Sequence, residues 1–169
     1  RIDALKRLSD NNDFEKLLSQ GTSTPHYWFY KLDYLLWKDS DLWLEFESES
    51  EFNQEKNFNY KLIKKNFRLS RLNSIEHIHP QSKKEDWKDY SVDNFGNLTL
   101  ISNHMNSALI DKDNVNKKLK IQEQLNNGTI ESLKMVLIYS KYEEWTPENC
   151  NKHQTEMINL LIKDLKNAK

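Results

Sequence analysis

The stretch Ile75-Glu76-His77-Ile78-His79-Pro80-Gln81, continued by Asn94-Phe95-Gly96-Asn97-Leu98-Thr99-Leu100-Ile101-Ser102-Asn103-His104-Met105-Asn106-Ser107, decides how this chain is read. Its first half sets a carboxylate beside an imidazole at the end of an apolar run. Its second half supplies two carboxamides. Asn94 to Asn97 predicts a turn into a short strand over Leu98 to Ile101, and Ser102 or Asn103 can cap a helix carrying Asn106 in its first turn. Strand, loop, strand and helix would bring Glu76, His77, Asn97 and Asn106 to one metal. The chemistry that needs such a set is phosphodiester hydrolysis, in which a base deprotonates water and a cation holds the scissile phosphate. Glu76 and Asn106 offer oxygen ligands suited to Mg²⁺ or Mn²⁺. His77 is the expected base, since imidazole exchanges a proton near working pH. Asn97 is expected to orient that imidazole through its amide.

These runs resemble the HNH, or ββα-metal, nuclease motif, in the form found in the C-terminal nuclease domain of GmrSD-type, modification-dependent restriction enzymes and related phage-defence proteins. The likeness lies in Glu76 to Pro80, Gly96 to Leu100 and Asn106-Ser107, and covers about residues 67 to 120. The HNH domain of CRISPR effector nucleases is similar in the same places. The resemblance implies Glu76 and Asn106 as metal ligands, His77 as general base and Asn97 as its supporting residue. It also implies a nucleotide-binding or sensor domain N-terminal to this one, where recognition of modified or foreign DNA would reside.

Neighbouring residues have plainer readings. His79 would share a strand face with His77 and would touch phosphate, act as the alternative base, or pack. His104 is expected on the surface, Asn94 in a turn, and Trp87 buried against the loop between the two halves.

Only 37% of the 169 residues are hydrophobic and 30% are charged, with a net charge of −1. That balance argues against a protein that grips nucleic acid over its whole surface. Local basic runs remain: Arg68 and Arg71 before the motif, Lys83 and Lys84 within it, and Lys117 and Lys118 beyond it are the expected phosphate contacts. No interleaving of aromatic and basic residues along the sequence marks a single-strand platform. With Cys150 the single cysteine, there is no disulfide framework and no zinc knuckle, so a cytoplasmic setting is expected. No apolar run is long enough to span a membrane. Opening on Arg1 rather than Met leads us to expect a fragment of a longer protein.

Around the motif the pattern is helical. Asn12 and Asp13 open a short helix through Leu18. Thr24-Pro25 is expected to cap and start one that buries Tyr27, Trp28, Leu32, Leu35 and Leu36. The acidic run from Asp41 to Asn57 reads as an edge element followed by an exposed loop or helix. Residues 67 to 79 predict the first strand of the site. A helix from about Asn114 to Gln124 is stopped at Gly128, Thr129 is expected to cap the next, through Tyr139, and Thr146-Pro147 starts the last. The expected fold is α+β, a ββα-metal core (67–120) between a helical N-terminal part (1–66) and C-terminal helices (121–169), in one compact domain. The expected reaction is the nicking of DNA. A double-strand break needs a second copy, as in a homo-oligomer, or a second event. The competing readings are an RNA-directed nuclease and an inert HNH-like binding module.

Overall fold

The computed structural model describes residues 11–39, 60–109, 112 and 114–168. The expectation for residues 41 to 57 lies outside them. Helix α1 (Asn11–Leu18) buries Phe14 and Leu18, one turn apart on one face. The Thr24 hydroxyl donates to the Leu18 carbonyl at 2.7 Å and accepts from the Gln20 N–H at 3.2 Å. It therefore closes the turn after α1 instead of capping the next helix, as its spacing had suggested. Helix α2 (His26–Lys38) follows directly on Pro25 and buries Trp28, Phe29, Leu32, Leu35 and Leu36. Tyr27, expected on that face, is 60% exposed. Helix α3 spans Tyr60–Asn66.

Strands β1 (Ser74–His77) and β2 (Leu98–Ile101) form an antiparallel ribbon in which Glu76 faces Thr99 and His77 faces Leu98. The predicted strand over 67 to 79 is thus shorter, because β2 offers only four residues to pair. Ahead of it the chain is held by other means. The Tyr30 hydroxyl accepts from the Leu72 N–H at 2.6 Å and donates to the Leu72 carbonyl at 3.0 Å.

Ser102, rather than Asn103, caps helix α4 (Asn103–Leu109), its hydroxyl oxygen accepting from the Met105 N–H at 3.1 Å. Helix α5 (Asn114–Asn127) ends at Gly128, whose φ of +67° suits a residue without a Cβ. Helix α6 (Leu133–Lys141) is capped by Ser132, which accepts from the Met135 N–H. Thr129 precedes it without capping, a correction to the sequence reading. Every residue of α6 from Leu133 to Ser140 is buried, so it is the central helix. Helix α7 (Pro147–Asn167) starts as expected, with Thr146 accepting from the Asn149 N–H and Pro147 in the first turn.

The fold is α+β and mainly helical. Helix α2 packs on α6 and on β2, and α7 packs on α2 and on the 3₁₀ turn Phe95–Asn97 that leads into β2. Among the described residues no helix is long and apolar enough to cross a membrane.

Candidate active site

Gly96 shows how the turn before β2 is seated. A Cβ added there would stand 2.5 Å from the Cys150 carbonyl oxygen and 2.9 Å from its Sγ, so only glycine lets the turn lie this close to α7. The Gly96 N–H donates to Gln154 Oε1 at 2.8 Å, and Gln154 in turn donates to Glu15 on α1. From the other side, the buried Lys134 ammonium of α6 donates to the carbonyls of Phe95, Gly96 and Leu98 at 2.8, 3.1 and 2.6 Å. Burial among these groups lowers the Lys134 pKa to about 7.

Asn97 is wholly buried and its carboxamide is fully used. It accepts from the His79 N–H at 2.8 Å and from Trp145 Nε1 at 3.0 Å. Its amide donates to the carbonyls of His79 and Val92 at 3.0 and 2.8 Å. None of these bonds reaches the His77 ring, contrary to the expectation that Asn97 orients it directly. Asn97 instead locks the backbone just after His77 to the turn before β2.

The partner of His77 is Asp93, with Nε2 and Oδ1 2.8 Å apart. A carboxylate only accepts, so Nε2 carries a proton, and in the neutral ring the lone pair then belongs to Nδ1. Asp93 also accepts from Gln81 Nε2 at 3.3 Å, and its carboxylate packs on Gly21, where a Cβ would lie 2.6 Å from Oδ1. Sequence reasoning missed Asp93, because Asp93-Asn94 ahead of Phe95-Gly96 is accounted for as a turn. His79 has other partners: its ring stacks on Trp87 with centroids 4.4 Å apart and donates to the Lys83 carbonyl at 2.9 Å. Trp87 is buried, as expected.

Glu76 adjoins His77 on β1, and consecutive strand side chains leave opposite faces. It meets Lys117 of α5, whose ammonium lies 2.5 Å from Glu76 Oε1 and also donates to the carbonyls of His77 and Ile78 at 2.9 and 3.3 Å. Lys117 is 2% exposed. The expectation that it contacts phosphate is therefore wrong: its charge is spent inside the protein on Glu76 and on the end of β1. Arg68, Arg71, Lys83 and Lys84 are exposed, and Lys118 is half-buried. Asn106 is half-buried on α4, which packs against β1, and its carboxamide makes no hydrogen bond among the described residues. His104 is exposed, as expected.

No group of three or more His, Cys, Asp or Glu side chains among the described residues is placed to hold a metal. By chemistry alone, the oxygen donors of Glu76 and Asn106 suit a hard cation with few protein ligands. Glu76 Oε2 takes no part in the bond to Lys117, and the Asn106 carboxamide oxygen is uncommitted. On the Glu76 side, the hydroxyls of Thr99, its cross-strand neighbour, and of Tyr139 are buried without a partner, which leaves polar capacity for a water or an ion. Mg²⁺ is commonly held by one or two protein oxygens, with water and substrate phosphate completing the shell.

The Cys150 thiol is buried, and burial raises its pKa to about 11, which makes it a poor nucleophile.

No curated protein and no solved structure matches the chain. A family-wide comparison matches residues 8–160, nearly the whole chain, to the description "GmrSD restriction endonucleases, C-terminal domain". The chain belongs to that family of restriction endonuclease C-terminal domains, and its His77–Asp93 pair, buried on the histidine side only, lies within the matched region.

Proposed function

We propose that this domain is a metal-dependent HNH endonuclease that nicks DNA, acting in the cytoplasm as the cleaving part of a restriction or anti-phage protein whose sensor domain precedes it. The observation that carries this reading is the His77–Asp93 contact, 2.8 Å, in a member of a restriction endonuclease family. It fixes the imidazole with Nδ1 as the nitrogen able to take a proton from water.

Glu76 and Asn106 would hold Mg²⁺ or Mn²⁺. When bound, the cation would supply charge neutralisation at the scissile phosphate and at the leaving oxygen. The remaining work belongs to the chain. His77 takes the proton of the attacking water and releases it to solvent, and the leaving oxygen takes its proton from solvent water. Asp93 holds the imidazole tautomer, and Asn97 fixes the backbone on which His77 ends. Lys117 keeps Glu76 from being an isolated buried charge. The exposed Arg68, Arg71, Lys83 and Lys84, with Lys118, would meet substrate phosphates.

The test is nicking of supercoiled plasmid in Mg²⁺ or Mn²⁺ against EDTA, with the wild type and His77→Ala side by side and an RNA substrate in parallel. We expect metal-dependent nicking of DNA that falls by at least about 10²-fold in His77→Ala. Full activity in the variant would move the base elsewhere, and cleavage of RNA alone would overturn the DNA reading.

A further inference from the structure

Away from the site just described, helices α2 and α3 and the segment after α3 line an open surface cavity of about 490 Å³. Small-molecule pockets are of similar size, roughly 300–1,000 Å³. Tyr34 and Trp37 on α2 and Leu69 after α3 are exposed apolar side chains, at 40%, 39% and 57%. They share the lining with Lys64, Lys65 and Arg68. Large exposed apolar side chains grouped together mark a binding surface more than singly scattered ones do. With the buried Phe67, three aromatic rings stand against three cations, a composition specific in its chemistry.

The geometry of each member is informative. Trp37 is anchored rather than loose, its Nε1 donating to the Lys64 carbonyl at 3.3 Å, and the Lys64 ammonium stands 5.6 Å from its ring centroid. Tyr34 lies beside it, with centroids 6.2 Å apart and ring planes inclined by 32°. Arg68 is held by two bonds from Nη1, to the carbonyls of Lys65 and Phe67. That leaves Nη2 in a fixed position for an anion. Lys65 is exposed.

We infer that this cavity binds unpaired nucleotides of a nucleic-acid strand, with a base stacked at Trp37 and neighbouring phosphates on Lys65 and Arg68. Exposed aromatic faces serve a base only when it is out of a duplex, and stacking combined with basic side chains is the recognition mode of single strands. The sequence hides the combination, because Tyr34 and Trp37 lie on α2 and the cations stand about thirty residues on, within and just after α3. Arg68 precedes His77 by nine residues, so the two are within about 30 Å even along a fully extended chain. A strand of several nucleotides is long enough to reach from one to the other. The inference rests on the nuclease reading for its substrate class, but its test does not need cleavage.

The experiment is fluorescence anisotropy of a short fluorescein-labelled oligothymidylate, and of a duplex of the same length, titrated with the protein in EDTA. Wild type, Trp37→Leu, Trp37→Phe and Lys65→Gln are compared, each first checked by circular dichroism. We expect the single strand to bind better than the duplex, and Trp37→Leu to weaken its binding about tenfold. Trp37→Phe should keep most of the affinity. Lys65→Gln should lower the slope of log affinity against log salt by about 0.7. Equal binding by Trp37→Leu and wild type, a preference for duplex, or no binding by the wild type would each overturn the inference. If nicking fails in the plasmid assay while these binding differences hold, the nuclease reading falls and the single-strand site stands.

Discussion

Two buried lysines secure the two strands of the ribbon, and they do so in different ways. Lys117 of α5 binds the end of β1 through the carbonyls of His77 and Ile78, with the Glu76 carboxylate as counter-ion. Lys134 of α6 binds the turn into β2 through three carbonyls. Its nearest carboxylate, Asp33, is engaged with the Lys134 backbone N–H at 3.0 Å instead. Both lysines give orphan carbonyls a donor where the backbone cannot pair with itself. The lysine with a counter-ion stands at the candidate metal ligand, whereas the one that relies on carbonyls supports a turn that only has to keep its shape.

That contrast is broken most severely at Lys117. Lys117→Met leaves Glu76 inside without its partner, and removal of one member of a buried pair costs about 3 kcal/mol or more. Urea denaturation should therefore show a large loss, much of it regained in the double variant with Glu76→Gln, where no charge is left unpaired. A double variant no more stable than Lys117→Met would mean that Lys117 acts through the carbonyls alone, as Lys134 does. A step smaller is Asn97→Ala. It unpairs two donors, the His79 N–H and Trp145 Nε1, and two carbonyls, which should cost about 2–3 kcal/mol and depress nicking further, because the backbone after His77 loses its tie. Wild-type nicking in a folded Asn97→Ala protein would separate that tie from the chemistry.

The candidate-site half of this comparison was legible in the sequence, and its supports were not. Glu76, His77, Asn97 and Asn106 stand at a spacing that short-range rules turn into strand, turn and helix, and those elements are present. What failed were roles set by partners far along the chain. Lys117 reads as one more surface lysine until α5 places it 41 residues away from its contact on β1. Asn97 finds its fourth bond on Trp145, 48 residues on, and no local pattern predicts that. The capping errors have a similar cause: Thr24 and Thr129 both qualify by type, but the Thr24 hydroxyl is taken by the preceding turn, and Ser132 stands nearer the start of α6.

The mildest test reads the Lys134 half of the comparison through pH. Burial lowers the Lys134 pKa from 10.5 to about 7 and raises that of Asp33 from 3.8 to about 7. For Asp33, whose protonated form the fold favours, the contribution to stability is full below pH 4 and is lost as pH rises to about 7. For Lys134, whose neutral form the fold favours, the contribution is full above pH 10.5 and is lost as pH falls to about 7. The two together place a shallow minimum in stability near neutrality. Asp33→Asn keeps an oxygen for the Lys134 N–H but cannot ionise, so its urea midpoint should fall less than that of the wild type between pH 4 and 7. Lys134→Met should flatten the alkaline side in the same way, with its deficit against wild type growing from pH 7 to 10. If both variants reproduce the wild-type pH curve, the two buried groups do not change protonation over this range, and Lys134 is then held as firmly charged by carbonyl dipoles as a lysine facing a carboxylate.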